Sequence, residues 1–176
     1  MQTNPDNSPM LWHALVVKSR MERATGQVLA ENGFETIVPV QRQLRQWSDR
    51  KKWVDVVLFN SYVFVGTTQE RRFEALNAPY AFKWVQFGNR IATLTETEVG
   101  ILRGLDGFNS PVHIQQSILP HIGEEVEIIR GSLAGYRGFV VAVQGKTKVR
   151  LALSTLGCFA EVEVMMKDVR TLAVAS

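Results

Sequence analysis

A single cysteine, Cys158, occurs in 176 residues, so no disulfide can form within the chain, which fits a reducing compartment. Long apolar runs are missing as well. A membrane-spanning helix needs about 18 consecutive apolar residues, and no such run exists. The first residues, MQTNPDNSP, lack the cationic and then apolar order of a secretory signal and read as a short disordered lead-in. The expected location is therefore the cytoplasm. An excess of one charge is missing too: the net charge of +3 is too small for general coating of nucleic acid, though a local basic patch can still act. Histidine is sparse too. His13, His113 and His121 lie far apart and form no H-x-E or H-x-x-x-H pair. The glycine-rich GSLAGYRG lacks the G-K-[ST] ending of a phosphate-binding loop. No internal repeat or low-complexity segment is present. These absences argue against an enzyme and against a cofactor or metal site.

A hydrophobic fraction of 45% supports a real core. LWHALVV (11–17) suits a buried strand. The helix after it has Ser19 and Glu22 at capping-box spacing, core candidates Met21, Val28 and Leu29, and Gly33 as its stop. FETIVPV is the next extended segment. QRQLRQWSDRKKW looks like the end of a long hairpin whose return strand runs from about Val54 to Gly66. Thr67 with Glu70, and Thr95 with Glu98, predict capping boxes for two further helices, the second with Leu94 and Val99 as a hydrophobic staple. KWVQFG between them reads as a strand ended by Gly88-Asn89.

The order β-α-β-β-α-β-α is a split βαβ, ferredoxin-like pattern with one extra helix, α+β with an antiparallel sheet. It spans 9–108. Residues 109–121 read as a linker. From 122 to 176 the chain is rich in β-branched residues and punctuated by Gly131, Gly135, Gly138, Gly145 and Gly157, which predicts a small all-β barrel. Glu124, Glu125 and Glu127 fit a solvated barrel opening, and Cys158 fits packing.

Two features point beyond the core. In the hairpin tip, Arg42, Arg45, Arg50, Lys51 and Lys52 face a single acid, Asp49, and alternate with Trp47 and Trp53. Cations neutralise phosphates and indoles stack on unpaired bases; the alternative is a solvated tip with its tryptophans folded back. The second feature is LFNSYVFVG (58–66). Alternation puts Tyr62 and Phe64 on one face and Val63 and Val65 on the other. With the valines toward the helices, the aromatics lie on the uncovered face, where an exposed patch marks a protein contact. The alternative is that another part of the chain covers it.

Several segments in order resemble the NusG-type transcription elongation factors, in particular the specialised RfaH and UpxY paralogues. WHALVVK is similar to that family's opening strand, ENGFETIVPV to its helix exit and second strand, LFNSYVFV to its L-F-P-x-Y segment, and WVQFG to the strand after its second helix. Val126, Ile128, Gly131, Leu133, Gly135 and Gly138 fit the KOW motif, whose glycines suit a tight loop with positive φ. The likeness covers about residues 11–172.

The resemblance implies an NGN domain followed by an SH3-like KOW barrel, in a monomer with no membrane partner. The first domain would grip the clamp helices of the largest RNA polymerase subunit, with Phe59, Tyr62 and Phe64 at the aromatic positions of the cavity. It would suppress pausing and termination by favouring the elongating polymerase state. Lys18, Arg20 and Arg23 stand where the specialised branch contacts the non-template DNA strand, with the hairpin tip as a second contact. The KOW barrel would recruit a ribosomal small-subunit protein or Rho through Leu133, Tyr136 and Leu156, at positions of an exposed apolar loop patch. The implied activity is operon-specific antitermination, with surface polysaccharide operons as a frequent target. A housekeeping factor acting with Rho and a ribosome-associated KOW protein that binds RNA are the alternatives. Two departures stand out. Asn60-Ser61 replaces the usual Pro-Gly or Pro-Asn, and RRFEALNAPY lacks the His-Thr-Thr triad that some relatives use on the polymerase gate loop. Some relatives fold the C-terminal part as a helical hairpin, whereas the valine-rich FVVAVQGKTKVRLAL favours the barrel.

Overall fold

The structure is a computed structural model that describes residues 8–47, 49–116, 123–144 and 146–172. It divides into two compact units, one of 1–38 and 59–99, the other of 39–58 and 100–176.

In the first unit, β1 (Leu11–Val17), α1 (Glu22–Glu31) and β2 (Glu35–Ile37) come first. The chain returns with β5 (Tyr62–Thr67), α2 (Arg72–Leu76) and β6 (Ala81–Trp84), then a short hairpin of β7 (Gln86–Phe87) and β8 (Arg90–Ile91). The sheet runs β2-β5-β1-β6, and every neighbour is antiparallel. Its helix-facing core joins Leu15, Val17, Val63, Val65 and Trp84 to Leu29 of α1 and Ala75 of α2. The valines of the 58–66 segment therefore face the helices as expected. Arg71 fastens α2 to the end of α1: it forks onto Glu74 at 2.9 Å, reaches the Asn32 carbonyl at 3.0 Å and lies over the Phe34 ring.

Only one of the three expected capping boxes forms. Thr95 and Glu98 exchange backbone-to-side-chain bonds at 2.8 and 3.2 Å at the start of α3 (Glu96–Leu105). The staple residues Leu94 and Val99 are buried. Neither α1 nor α2 has a side-chain cap. Glu22 turns away from Ser19, accepting the Arg20 and Ser61 amides instead, and α2 starts after Arg71, beyond the reach of Thr67. Gly33, at φ 79, follows α1 as its expected stop.

The expected return strand from Val54 to Gly66 is two strands. β3 (Val40–Gln46) and β4 (Lys51–Val57) form a separate two-stranded hairpin. The chain then turns at 58–61, where Ser61 adopts φ 66, before β5 begins. KWVQFG is likewise split at Val85 between β6 and β7, with Gly88 (φ 58) in the β7–β8 turn.

In the second unit the base of the hairpin is tied to the segment after α3. Val40 N–H donates to Asp106 at 3.0 Å, and Gln41 bonds to the Ser110 carbonyl and accepts Val112 N–H. These bonds are the physical reason the hairpin groups with the C-terminal residues. The strands β9 (Val112–Gln116), β10 (Glu125–Ile128), β11 (Arg137–Gln144), β12 (Lys146–Leu153), β13 (Cys158–Val164) and β14 (Val169–Thr171) form one antiparallel sheet. Its order is β14-β10-β11-β12-β13-β9. The expected linker is thus partly strand: β9 pairs with β13 from Val112 to Gln116, and its side chains alternate as Val112 in, His113 out. The rest of it, 117–121, lies outside the described residues. Val126, Ile128, Val149, Leu151, Leu153, Cys158, Ala160 and Val162 fill the interior.

The glycines of 131–138 have two functions. Gly131 (φ 82) and Gly135 (φ 88) supply the left-handed turns. At Gly138, a Cβ would run into the Arg150 carbonyl, so close strand approach demands glycine there. Gly145 lies outside the described residues. Among those that are described, no helix is long and apolar enough to cross a membrane.

Candidate nucleic-acid and protein contact surfaces

β5 is an inner strand, paired by β1 and β2, and every residue of it but Tyr62 is buried. Phe64 stands opposite Ala14 and Ile37 and is 0% exposed. Phe59 returns from the turn to meet it edge-on, with ring centroids 5.2 Å apart, and is itself 5% exposed. The expectation of an uncovered face at Phe64 therefore fails: Phe59 and Phe64 are core. Tyr62, two residues before Phe64 and opposite Val16, keeps part of its surface.

Lys18, Arg20 and Arg23 are all exposed around the turn from β1 into α1. The turn is held from below by Glu22, which is 2% exposed. Its carboxylate accepts Ser61 N–H at 2.7 Å and Arg20 N–H at 3.1 Å. A buried carboxylate with two amide donors fixes the loop that carries the three cations.

The hairpin register sorts its residues by face. Leu44 stands opposite Trp53, Arg42 opposite Asp55 and Gln46 opposite Lys51, while Arg45 and Lys52 pair on the other face. Arg42, Arg45, Arg50, Lys51 and Lys52 are exposed. Trp47 and Trp53 are 55% and 54% exposed, so neither is folded away. Arg42 already lies 5.5 Å from the Trp53 ring centroid, a cation over an aromatic face. Trp47 N–H closes the tip on the Arg50 carbonyl at 2.8 Å.

The expected apolar loop patch beside the second sheet is less open than its sequence implies. Leu133 is 0% exposed and packs where a Cβ on Gly104 would stand, with the Ser132 hydroxyl bonded to the Gly104 carbonyl at 2.6 Å. The Tyr136 hydroxyl occupies the corresponding space at Gly100. The two glycines four apart open one side of α3 to this loop, which is why Leu133 is covered. Tyr136 and Leu156 are half-buried.

Other residues escaped sequence reasoning. Phe73, Tyr80, Phe82 and Phe87 are exposed aromatics. The only available signal was the proline and asparagine before Tyr80, which mark a turn without saying what lies beside it. His13 is buried, with Nδ1 2.8 Å from the Ala92 carbonyl. Burial holds its pKa below the usual imidazole value; the Ala92 bond opposes that, and the Arg72 charge adds to it. No cluster of three metal-ligating side chains occurs among the described residues.

A family model described as transcription termination factor NusG matches residues 10–103. No curated protein matches the chain. Among solved structures, one described as domain interaction in Thermotoga maritima NusG is similar, with a TM-score of 0.56 and 19% identity over 94% of this chain and 98% of that one. At that identity the likeness bears on fold. The MjSpt4:Spt5 complex, in conformation B, covers 94% of this chain and 99% of that one at 17% identity, with a TM-score of 0.31 that carries no argument.

Proposed function

The chain belongs to the NusG family of transcription factors, and from that premise we propose that it is an elongation factor that binds RNA polymerase and suppresses pausing and termination. The observation that carries the reading is the family match over 10–103, which includes β1, α1 and β5. The strand order β2-β5-β1-β6 supports a ferredoxin-like NGN domain, since it is the order of a split βαβ sheet. The single antiparallel sheet of 112–171, with its glycine turns, supports an SH3-like KOW barrel.

In this reading Tyr62 is the aromatic contact to the polymerase clamp helices, and Phe59 and Phe64 brace it from within the core. Lys18, Arg20 and Arg23 lie on the non-template strand, and the hairpin tip forms a second contact, with Arg42 and Lys51 on the face of Trp53, Arg45 and Lys52 on the opposite face and Arg50 in the turn. Tyr136 and Leu156 face the KOW partner, a ribosomal small-subunit protein or Rho, with Leu133 as their support. The long basic hairpin and the VQFG segment favour an operon-specific antiterminator. The factor breaks no bond. It acts by binding the elongating polymerase state more tightly than the paused one.

The test compares polymerase capture by wild type and Tyr62→Ala. A hot-spot aromatic costs about 2 kcal/mol or more when truncated, so Tyr62→Ala should bind markedly more weakly while melting normally. Recovery of ribosomes without polymerase by the wild-type chain would overturn the reading. Transcript profiling after deletion separates the two regulatory forms: a few long operons for the specialised factor, most of the genome for a housekeeping one.

A further inference from the structure

Three non-glycine residues among those described have a left-handed backbone: Arg20 (φ 70), Ser61 (φ 66) and Tyr80 (φ 67). All three surround the end of β1. Val17 N–H donates to the Ser61 carbonyl at 2.9 Å, and Lys18 N–H donates to the Tyr80 carbonyl at 2.9 Å. Glu22 bridges the amides of Arg20 and Ser61. A left-handed turn is easiest for glycine or asparagine, and a tyrosine there is strained. Packing does not account for it, because Tyr80 is 48% exposed.

A second irregularity follows at once. Val16 pairs with Lys83 and Val17 with Ala81, so Phe82 is an extra residue in β6 and is 65% exposed. Bulges of this kind re-aim side chains. Two backbone devices in three residues thus turn aromatic rings to solvent, beside a loop whose exposed side chains include Lys18, Arg20 and Arg23.

We propose that Tyr80, with Phe82 next to it along β6, is a stacking platform for unpaired bases of a single strand whose phosphates lie on Lys18, Arg20 and Arg23. The inference rests on the reading of those cations as a nucleic-acid contact and adds a grip on the base that charge cannot provide. Base faces are offered by single strands and are hidden in a duplex, so the site prefers single-stranded DNA.

The test uses the full chain and a labelled single-stranded oligonucleotide, the matching duplex, and the same strand with abasic positions. Tyr80→Gly removes the ring and also relieves the backbone, so it should melt at a higher temperature than wild type and bind the single strand on the order of tenfold more weakly. Tyr80→Phe keeps the ring and should bind as wild type does. On the abasic strand the glycine variant and wild type should be equal, and the salt dependence of binding should be unchanged, because no phosphate contact is lost. Tyr80→Asn is a second variant that accepts the same backbone. The proposal is overturned if Tyr80→Gly holds the normal strand as tightly as wild type, if it loses the abasic strand equally, if it melts lower than wild type, or if wild type does not prefer the single strand to the duplex. Polymerase capture on the same preparations keeps the two ideas apart: wild type that captures polymerase without this preference sinks only the stacking site. Strand binding with no polymerase capture sinks only the elongation reading.

Discussion

β4 and β5 follow one another along the chain, are similarly rich in aromatic and β-branched residues, and differ completely in burial. In β4, Trp53 is 54% exposed; in β5, Phe64 is 0% exposed. The difference lies in the neighbours. β5 is an inner strand of a four-stranded sheet with helices against its valine face. β4 pairs only with β3, and a two-stranded ribbon offers no second layer to cover a ring. The turn at 58–61 separates the two environments. Local composition therefore does not decide whether an aromatic is core or contact; what is packed over its face does.

The comparison breaks most sharply on truncation. Phe64→Ala should destabilise the protein by about 3–5 kcal/mol, the range for a buried phenylalanine. Trp53→Ala should cost within about 1 kcal/mol, the scale of one cross-strand pair with Leu44. Denaturant melts of both variants test this, and similar losses at the two sites would remove the distinction. The result also bears on polymerase binding: a defect in Phe64→Ala reflects folding, so Tyr62 is the cleaner probe.

The turn between the strands supplies a smaller and opposite effect. Ser61 stands at φ 66 with its amide bonded to Glu22 and its carbonyl to Val17 N–H. Those bonds use only backbone atoms of residue 61, so glycine can keep them. Ser61→Gly should be stabilising by up to about 1 kcal/mol through relief of the left-handed strain, offset in part by greater freedom of the unfolded chain. Ser61→Val should be destabilising, since a β-branched residue tolerates this backbone poorly. Melting temperatures in the reverse order would show that the serine side chain, not the backbone, matters there.

This turn also marks where the sequence stopped being legible. Alternation in 62–65 identified the valine face correctly, because each strand has a period of two whatever its neighbours. It did not reveal that Phe64 is covered, since Phe59 reaches it only through the 58–61 turn and Ala14 and Ile37 flank it from other strands. The hairpin cations were legible as an exposed tip, because polar residues flank them at nearly every step, but alternation alone left open whether Trp47 and Trp53 fold back, and the structure exposes both. Capping boxes were legible only where nothing competed: Thr95–Glu98 formed, whereas Glu22 was drawn to the amides of Arg20 and of Ser61, the latter 39 residues away. The strand at 112–116 was hidden because proline, asparagine and serine precede it and its partner β13 lies some 45 residues on. Tyr80 beside Lys18 is likewise a product of the tertiary fold.

A last effect, confined to acid, distinguishes the sheet of β5 from the hairpin by pH. His13 pairs with Val65 of β5 and is buried, its Nδ1–H donating to the Ala92 carbonyl. Its Nε2 and the neighbouring Trp84 indole nitrogen are buried and have no hydrogen-bond partner among the described residues. Burial lowers its pKa in the folded state, so the unfolded chain takes up the proton first. Stability is therefore retained above the ordinary imidazole value of about 6.5 and is lost as pH falls below it toward the folded pKa. The slope for one proton is at most about 1.4 kcal/mol per pH unit. Urea melts across this range should show the loss in wild type and a flatter profile in His13→Gln, which can still donate to Ala92. Hydrogen exchange should place the acid-induced opening in β1 and β5, with β3 and β4 unchanged. An identical acid slope in the glutamine variant would mean that some other group drives it, and the buried imidazole would lose its place as the pH-sensitive part of this sheet.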